Sequence, residues 1–157
     1  MIDVRKIDAL ETFAVRHPVL RPGKPITSCH FDGDDLESTQ HFGLFENNIL
    51  VGVISLFEVA NPAFRAPMQT QIRGIAVLEN HRKKGFGETL IKHVEEYLRQ
   101  NKTLFVWFNA REGAFGFYKK LGYSIFGNSF DIADVGIHYV MYKNLQSVTV
   151  KINTNAT

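Results

Sequence analysis

A chain of 157 residues, 45% hydrophobic and 22% charged, has the length of one globular domain and enough apolar material for a core without covalent staples. A net charge of +2 is too small for the dense basic face that nucleic-acid binding normally needs, so no nucleic-acid partner is expected. The single cysteine, Cys29, excludes an intrachain disulfide and a multi-cysteine metal site. No apolar run is long enough for a bilayer and MIDVRKIDAL holds no hydrophobic signal core, so the expectation is a cytoplasmic protein without a membrane partner.

The segment MIDVRKI alternates apolar and polar residues as a short strand does, and Asp8 with Glu11 resembles a helix start followed by its capping-box partner. From His17 to Gln40 the prolines, Gly23 and the run DGDD break regular structure, which predicts a long loop or a loop holding a short helix. HFGLFE and ILVGVISLFE flank Asn47-Asn48, a pair that tolerates left-handed backbone and suits a tight hairpin. Gln69 to Val77 reads as a strand, and a helix from Gly85 to about Gln100 places Leu90, Ile91, Val94, Tyr97 and Leu98 on one stripe. Thr103 to Phe108 predicts a strand, Glu112 to Leu121 a short helix ended by Gly122, and Tyr123 to Phe126 with Ile137 to Tyr142 a closing hairpin. The expected organisation is a single domain over 1–145 and a polar tail over 146–157, in which SVTVKI would add an edge strand. The element order defines a mixed α/β or α+β single sheet.

The stretch IRGIAVLENHRKKGFGETL joins a strand to a helix through a basic, glycine-bearing turn, R-x-x-G-x-G at Arg82, Gly85 and Gly87. Glycines admit an anion close to the backbone, and the free N–H groups and positive dipole end of a new helix face it, which makes this a phosphate-binding arrangement. On its own the turn is equally a solvated one. Neither a Walker A sequence nor a complete Rossmann fingerprint is present, so a different phosphate ligand is wanted.

Three blocks together resemble the GNAT superfamily of acyl-CoA-dependent N-acyltransferases: IRGIAVLENHRKKGFGETLI, WFNAREGAFGFYKKLGYSIFG and GIHYVMYKNL. The resemblance implies a mostly antiparallel sheet with splayed central strands, flanked by helices, and acetyl-CoA as cosubstrate with no metal. It implies that the backbone at Ile75, Ala76 and Val77 pairs with the pantetheine arm. Arg82, Lys83, Lys84, Gly85, Phe86, Gly87 and Glu88 would hold the pyrophosphate and its surroundings, and Asn109 the pantetheine or a bridging water. Tyr118 matches the general acid that protonates the departing thiolate; beside Phe115 and Phe117 it would read as a packing residue without the rest of its block, and with the block it reads as the acid.

The base stays open, because Gln71 stands where some members carry a glutamate. His138 is a candidate base and equally a structural histidine; His41, Glu58, Asp32, Asp34 and Asp35 are weaker ones, and an ordered water or a partly deprotonated amine would also serve. Arg73 and Arg111 are candidates to bind an acidic acceptor, or are solvated. The six histidines show no pair at metal-ligating helical spacing. The expected activity is acetyl transfer to a primary amine by direct attack; the rival readings are a noncatalytic acyl-CoA-binding module and a transferase of longer acyl chains. A homodimer is the assembly to test first, being the commonest homo-oligomer.

Overall fold

The computed structural model describes residues 1–145; the tail and its expected SVTVKI strand lie outside the described residues. The elements in chain order are β1 (Ile2–Ile7), α1 (Phe13–Leu20), β2 (Gln40–Glu46), β3 (Ile49–Phe57), β4 (Thr70–Val77), α2 (Phe86–Gln100), β5 (Phe105–Arg111), α3 (Phe115–Lys120), β6 (Ser124–Ile132) and β7 (Gly136–Asn144). The strands form a mixed, mostly antiparallel sheet in the order β1-β2-β3-β4-β5-β7-β6. The chain divides into two compact units, one of Met1–Glu58 with Ile72–Val94, the other of Val59–Gln71 with the chain from Glu95 onward.

In the first unit β1 pairs antiparallel with β2, from Ile2 opposite Glu46 to Ile7 opposite His41. Asn47 and Asn48 turn β2 into β3 with φ of 51° and 68°, the left-handed pair that a two-residue hairpin demands. Glu11 does reach back to cap, accepting a hydrogen bond from the Asp8 N–H at 2.9 Å. The helix it opens begins with a single 3₁₀ turn, Leu10–Thr12, and then runs on as α1 through His17 and Pro18 to Leu20, deeper into the expected loop than the sequence suggests. Pro18 falls in the last turns, where the lost N–H removes one bond from a helix that Arg21 closes by donating to the Arg16 and His17 carbonyls. Val15, Val53 and Ala76 form a buried cluster under Ile7, Val19, Leu20, Leu50 and Leu78. Leu90, Ile91 and Val94 are the fully buried stripe of α2.

In the second unit β5 pairs antiparallel with β7, from Phe105 opposite Asn144 to Arg111 opposite His138. The parallel register of β4 with β5 is two residues long, Thr70 opposite Val106 and Gln71 opposite Trp107. The loop before β4 is tied to the buried Gln69, whose Oε1 accepts from the Asn61 N–H at 2.8 Å while Nε2 donates to the Ala66 carbonyl at 3.1 Å. Leu121 follows α3, and Gly122 at φ 96° ends it in the left-handed conformation expected of a C-terminal glycine. The closing hairpin is longer than the sequence predicts, because β6 passes an irregularity between Phe126 and Phe130 and resumes pairing to Ile132.

Candidate active site

The turn between β4 and α2 lies within the first unit. Lys83 takes φ 64° and Gly85 φ 79°, two left-handed residues separated by one, the kind of backbone from which anion-binding nests are built. Nothing lies within 4 Å of where a Cβ on Gly85 would stand, so the backbone there faces open space. The first turn of α2 adds N–H groups that have no partner within the helix. Arg82 Nε donates to the Val77 carbonyl at 3.2 Å, fastening the turn to the end of β4.

Glu46, at the end of β2, organises the cations around this turn. It accepts from His81 Nδ1 at 2.8 Å and faces Lys84 Nζ at 3.3 Å. The His81 hydrogen bond, and then Lys84, hold its carboxyl below the ordinary value in spite of partial desolvation. Lys84 is thereby drawn toward the strand, and Lys83 stands exposed without an ion pair among the described residues. Glu88 is exposed and pairs with Lys92 one helical turn on. Phe86 is buried and seats the helix start.

Along β4 the buried residues Thr70, Ile72 and Ala76 alternate with half-buried Gln71, Arg73, Ile75 and Val77, and Gly74 on the buried side takes φ 68°. A Cβ there would stand 2.9 Å from Phe31 and 3.4 Å from Arg16 Nε, so glycine is required on both counts. Ala76 is buried, and Ile75 and Val77 are half-buried beyond the residues whose register with β5 is set.

The loop that the sequence left unpatterned is folded around Arg16. This fully buried side chain donates to both Asp34 oxygens, to the Cys29 carbonyl at 2.8 Å and to Ser55 Oγ at 3.0 Å. Since the guanidinium only donates, Ser55 Oγ accepts from it and gives its own proton to His41 Nδ1 at 2.6 Å; His41 Nε2–H then donates to the Asp34 carbonyl at 3.0 Å. Both nitrogens of His41 are thus engaged, leaving none for a substrate. Burial alone would raise the Asp34 carboxyl, but the Arg16 hydrogen bonds, the Phe31 N–H and the guanidinium charge outweigh it and hold the group below its usual value.

In the second unit, directly opposed residues share a sheet face, so Asn109, Arg111 and His138 are brought together on one side of β5 and β7. Tyr118 lies on the other side, its ring 4.4 Å from that of Phe108. Two buried tyrosines meet there with different fates. Tyr123 donates to Glu95 at 2.8 Å, and its phenol is raised by burial and by that carboxylate. Tyr118 has no hydrogen-bond partner among the described residues, and burial pushes its phenol up to about 12. It therefore holds its proton across the neutral range, the form an acid needs before it acts.

His138 is buried, and its Nδ1–H donates to the Gly136 carbonyl at 2.8 Å, which leaves Nε2 as the acceptor nitrogen. Asn109 and Arg111 are exposed. Among the described residues no group of three metal-ligating side chains gathers, and no helix is long and apolar enough to cross a membrane.

Residues 6–123 match the family model described as the acetyltransferase (GNAT) family. The chain belongs to the GNAT family. Over 94% of its length and 99% of the relative's, it is 37% identical to an uncharacterized N-acetyltransferase of Bacillus subtilis (strain 168), YitI. Two solved GNAT-type structures share its fold at low identity. The ribosomal-protein-S18-alanine N-acetyltransferase of Escherichia coli superposes with a TM-score of 0.74 at 15% identity, covering 93% of this chain and 95% of that one. An aminoglycoside 6'-N-acetyltransferase complexed with coenzyme A gives 0.74 at 14%, covering 92% and 97%.

The residues that sequence reasoning missed are Glu46, which ties His81 and Lys84 to the end of β2, and Arg16, Phe31 and Ser55, which tie the loop from His17 to Gln40 to α1 and the sheet. Arg16, an isolated charge on the apolar side of α1 beside Val15, is the one signal that pointed there.

Proposed function

We propose that this protein is a cytoplasmic acetyl-CoA-dependent N-acetyltransferase acting on a primary amine by direct attack. The observation that carries the proposal is the open, left-handed turn at Lys83 and Gly85 ahead of α2, a cradle for a diphosphate with Arg82 and Lys83 beside it. Its fit to coenzyme A is favoured by the empty space over Gly85, which any side chain would fill. Arg82, Lys83, Gly85, Phe86, Gly87 and Glu88 hold the diphosphate region, with Lys84 available only by leaving Glu46. Ile75, Ala76 and Val77 offer the pantetheine arm a strand edge, and Asn109 a polar contact. When bound, acetyl-CoA supplies the acetyl group as a thioester.

The protein's own groups then manage protons and position. His138 Nε2, left as the acceptor nitrogen because Nδ1–H is committed to Gly136, accepts the proton of the attacking amine. Tyr118, unpartnered and protonated, donates to the sulfur that leaves. Arg73 and Arg111 orient the acceptor. Holding two reactants in one orientation is itself worth several kcal/mol of barrier, roughly 7 or more in favourable cases.

The test is acetyl transfer from isotope-labelled acetyl-CoA to a broad amine panel, read by mass spectrometry of the products. Labelled N-acetyl product with wild type, lost in Tyr118→Phe and His138→Asn, supports the proposal. Acetyl-CoA binding with no acetylated product from any amine favours a noncatalytic acyl-CoA-binding module.

A further inference from the structure

Three guanidinium groups surround one phenyl ring in the first unit. The central carbons of Arg16, Arg73 and Arg21 lie 3.9, 5.0 and 5.5 Å from the centroid of Phe31. One of the three charges is answered by contact, that of Arg16 by Asp34. Arg73 makes no ion pair among the described residues and is held in place by the rings of Phe31 and Phe57, the latter at 5.3 Å. Arg21 spends one N–H on the Leu20 carbonyl and has no carboxylate partner among the described residues.

A cation stacked on aromatic faces keeps its planar fork of N–H donors free at the edge, the geometry that suits a carboxylate. Arg73 is half-buried, and burial, with Arg16 and Arg21 adding to it, lowers its hold on its proton against the help of Asp34 and exposed Asp32. A desolvated charge without a contact partner is a standing cost that an arriving anion removes. A second unmet donor adjoins it: Arg16 Nε is buried with no acceptor and lies beside the backbone of Gly74, the residue following Arg73.

Resting on the transferase reading above, we infer that Arg73 and Arg21, framed by Phe31, bind the carboxylate of the acceptor, so that the amine acetylated belongs to an amino acid or a close relative of one. Arg73 stands two residues before Ile75, the first of the three-residue segment assigned to the pantetheine arm, with Gly74 between them. A carboxylate held at Arg73 therefore brings the neighbouring amine, separated from it by a single carbon in an α-amino acid, to the start of that segment. Phe31 orders the two forks, and the Arg16–Asp34 pair fixes Phe31 through the hydrogen bond from its N–H to Asp34 at 3.0 Å.

The experiment titrates the full chain, isotope-labelled at arginine, with each of the common amino acids and with their carboxamides, reading side-chain N–H resonances with and without coenzyme A. The expected result is a saturable shift of Arg73 and Arg21 with one or a few amino acids and none with the matching carboxamide. Arg73→Gln and Arg21→Gln each weaken that binding by about tenfold or more, the scale of a charge-assisted hydrogen bond, and Arg73→Lys restores part of it. Arg21→Gln, a change at the end of α1 away from the core, keeps the test available if Arg73→Gln misfolds. Equal response to the carboxamides, or no response to any amino acid, overturns the inference. A shift with no acetylated product would leave the carboxylate site standing and sink the transferase reading; acetylation of carboxamides as fast as amino acids would do the reverse.

Discussion

Arg16 grips Asp34 through two hydrogen bonds, Nη1 to Oδ2 at 2.6 Å and Nη2 to Oδ1 at 3.1 Å, with neither side chain exposed to solvent. The pair joins α1 to the loop that carries Phe31, and through Ser55 and His41 to β3 and β2. A buried ion pair contributes little net stability against an apolar replacement, yet breaking it leaves a stranded charge.

Removing one partner is therefore far worse than removing both. Arg16→Met or Asp34→Leu is expected to cost roughly 3 to 5 kcal/mol, and the two together to recover most of the loss. Urea unfolding midpoints of the four chains check this, and additive losses would contradict it.

The same pair sets an acid limb. Asp34 has its folded pKa below the unfolded one, so its contribution is present above about pH 4 and is lost as the pH falls through the folded value. Unfolding free energy measured from pH 6 downward should fall more steeply for wild type than for the apolar double variant.

The alkaline limb has the opposite sign. Burial moves the Tyr118 phenol from 10.0 to about 12, a preference on the order of 2 to 3 kcal/mol for the protonated form. That stability is complete below about pH 10 and is lost as the pH rises toward 12, with Tyr123 acting in the same direction. Stability measured across this window should decline less in Tyr118→Phe than in wild type.

The two tyrosines separate catalysis from structure. Tyr118→Phe is expected to lower kcat roughly a hundredfold with acetyl-CoA affinity unchanged, as loss of a general acid does. Tyr123→Phe, which removes the hydroxyl donor of Glu95 and leaves it Lys143 at 3.0 Å, should lower stability and leave kcat near wild type. Initial rates, titration of acetyl-CoA and urea midpoints distinguish the two; a kcat loss of equal size in both would assign Tyr118 to packing.

His138→Asn is expected to reduce kcat/KM about a hundredfold with acetyl-CoA binding intact. Retained activity would leave a water or the free amine as the proton acceptor.

Local signals made the turn between β4 and α2 and the Asn47-Asn48 hairpin legible, because glycine, asparagine and helix-stripe preferences act within a few residues. The loop from His17 to Gln40 was not legible, since Arg16 fixes it through Cys29, Asp34 and Ser55, partners 13 to 39 positions away. The later half of β6 escaped notice because Gly127, at φ 74°, and the polar residues after it interrupt the alternation where the strand passes its irregularity. Tyr118 was singled out by its block, whereas what sets it apart from Tyr123, an unpartnered hydroxyl beside a partnered one among the described residues, needed the fold.

The most direct test of the central claim is calorimetric titration of acetyl-CoA into wild type and into Gly85→Glu, with folding of both verified by circular dichroism. Glutamate at Gly85 strains a left-handed residue and places an anion in the open space beside it. Saturable binding to wild type that is abolished in the folded variant is the predicted result; absence of binding to wild type, or equal binding to both, would contradict a diphosphate cradle at this turn.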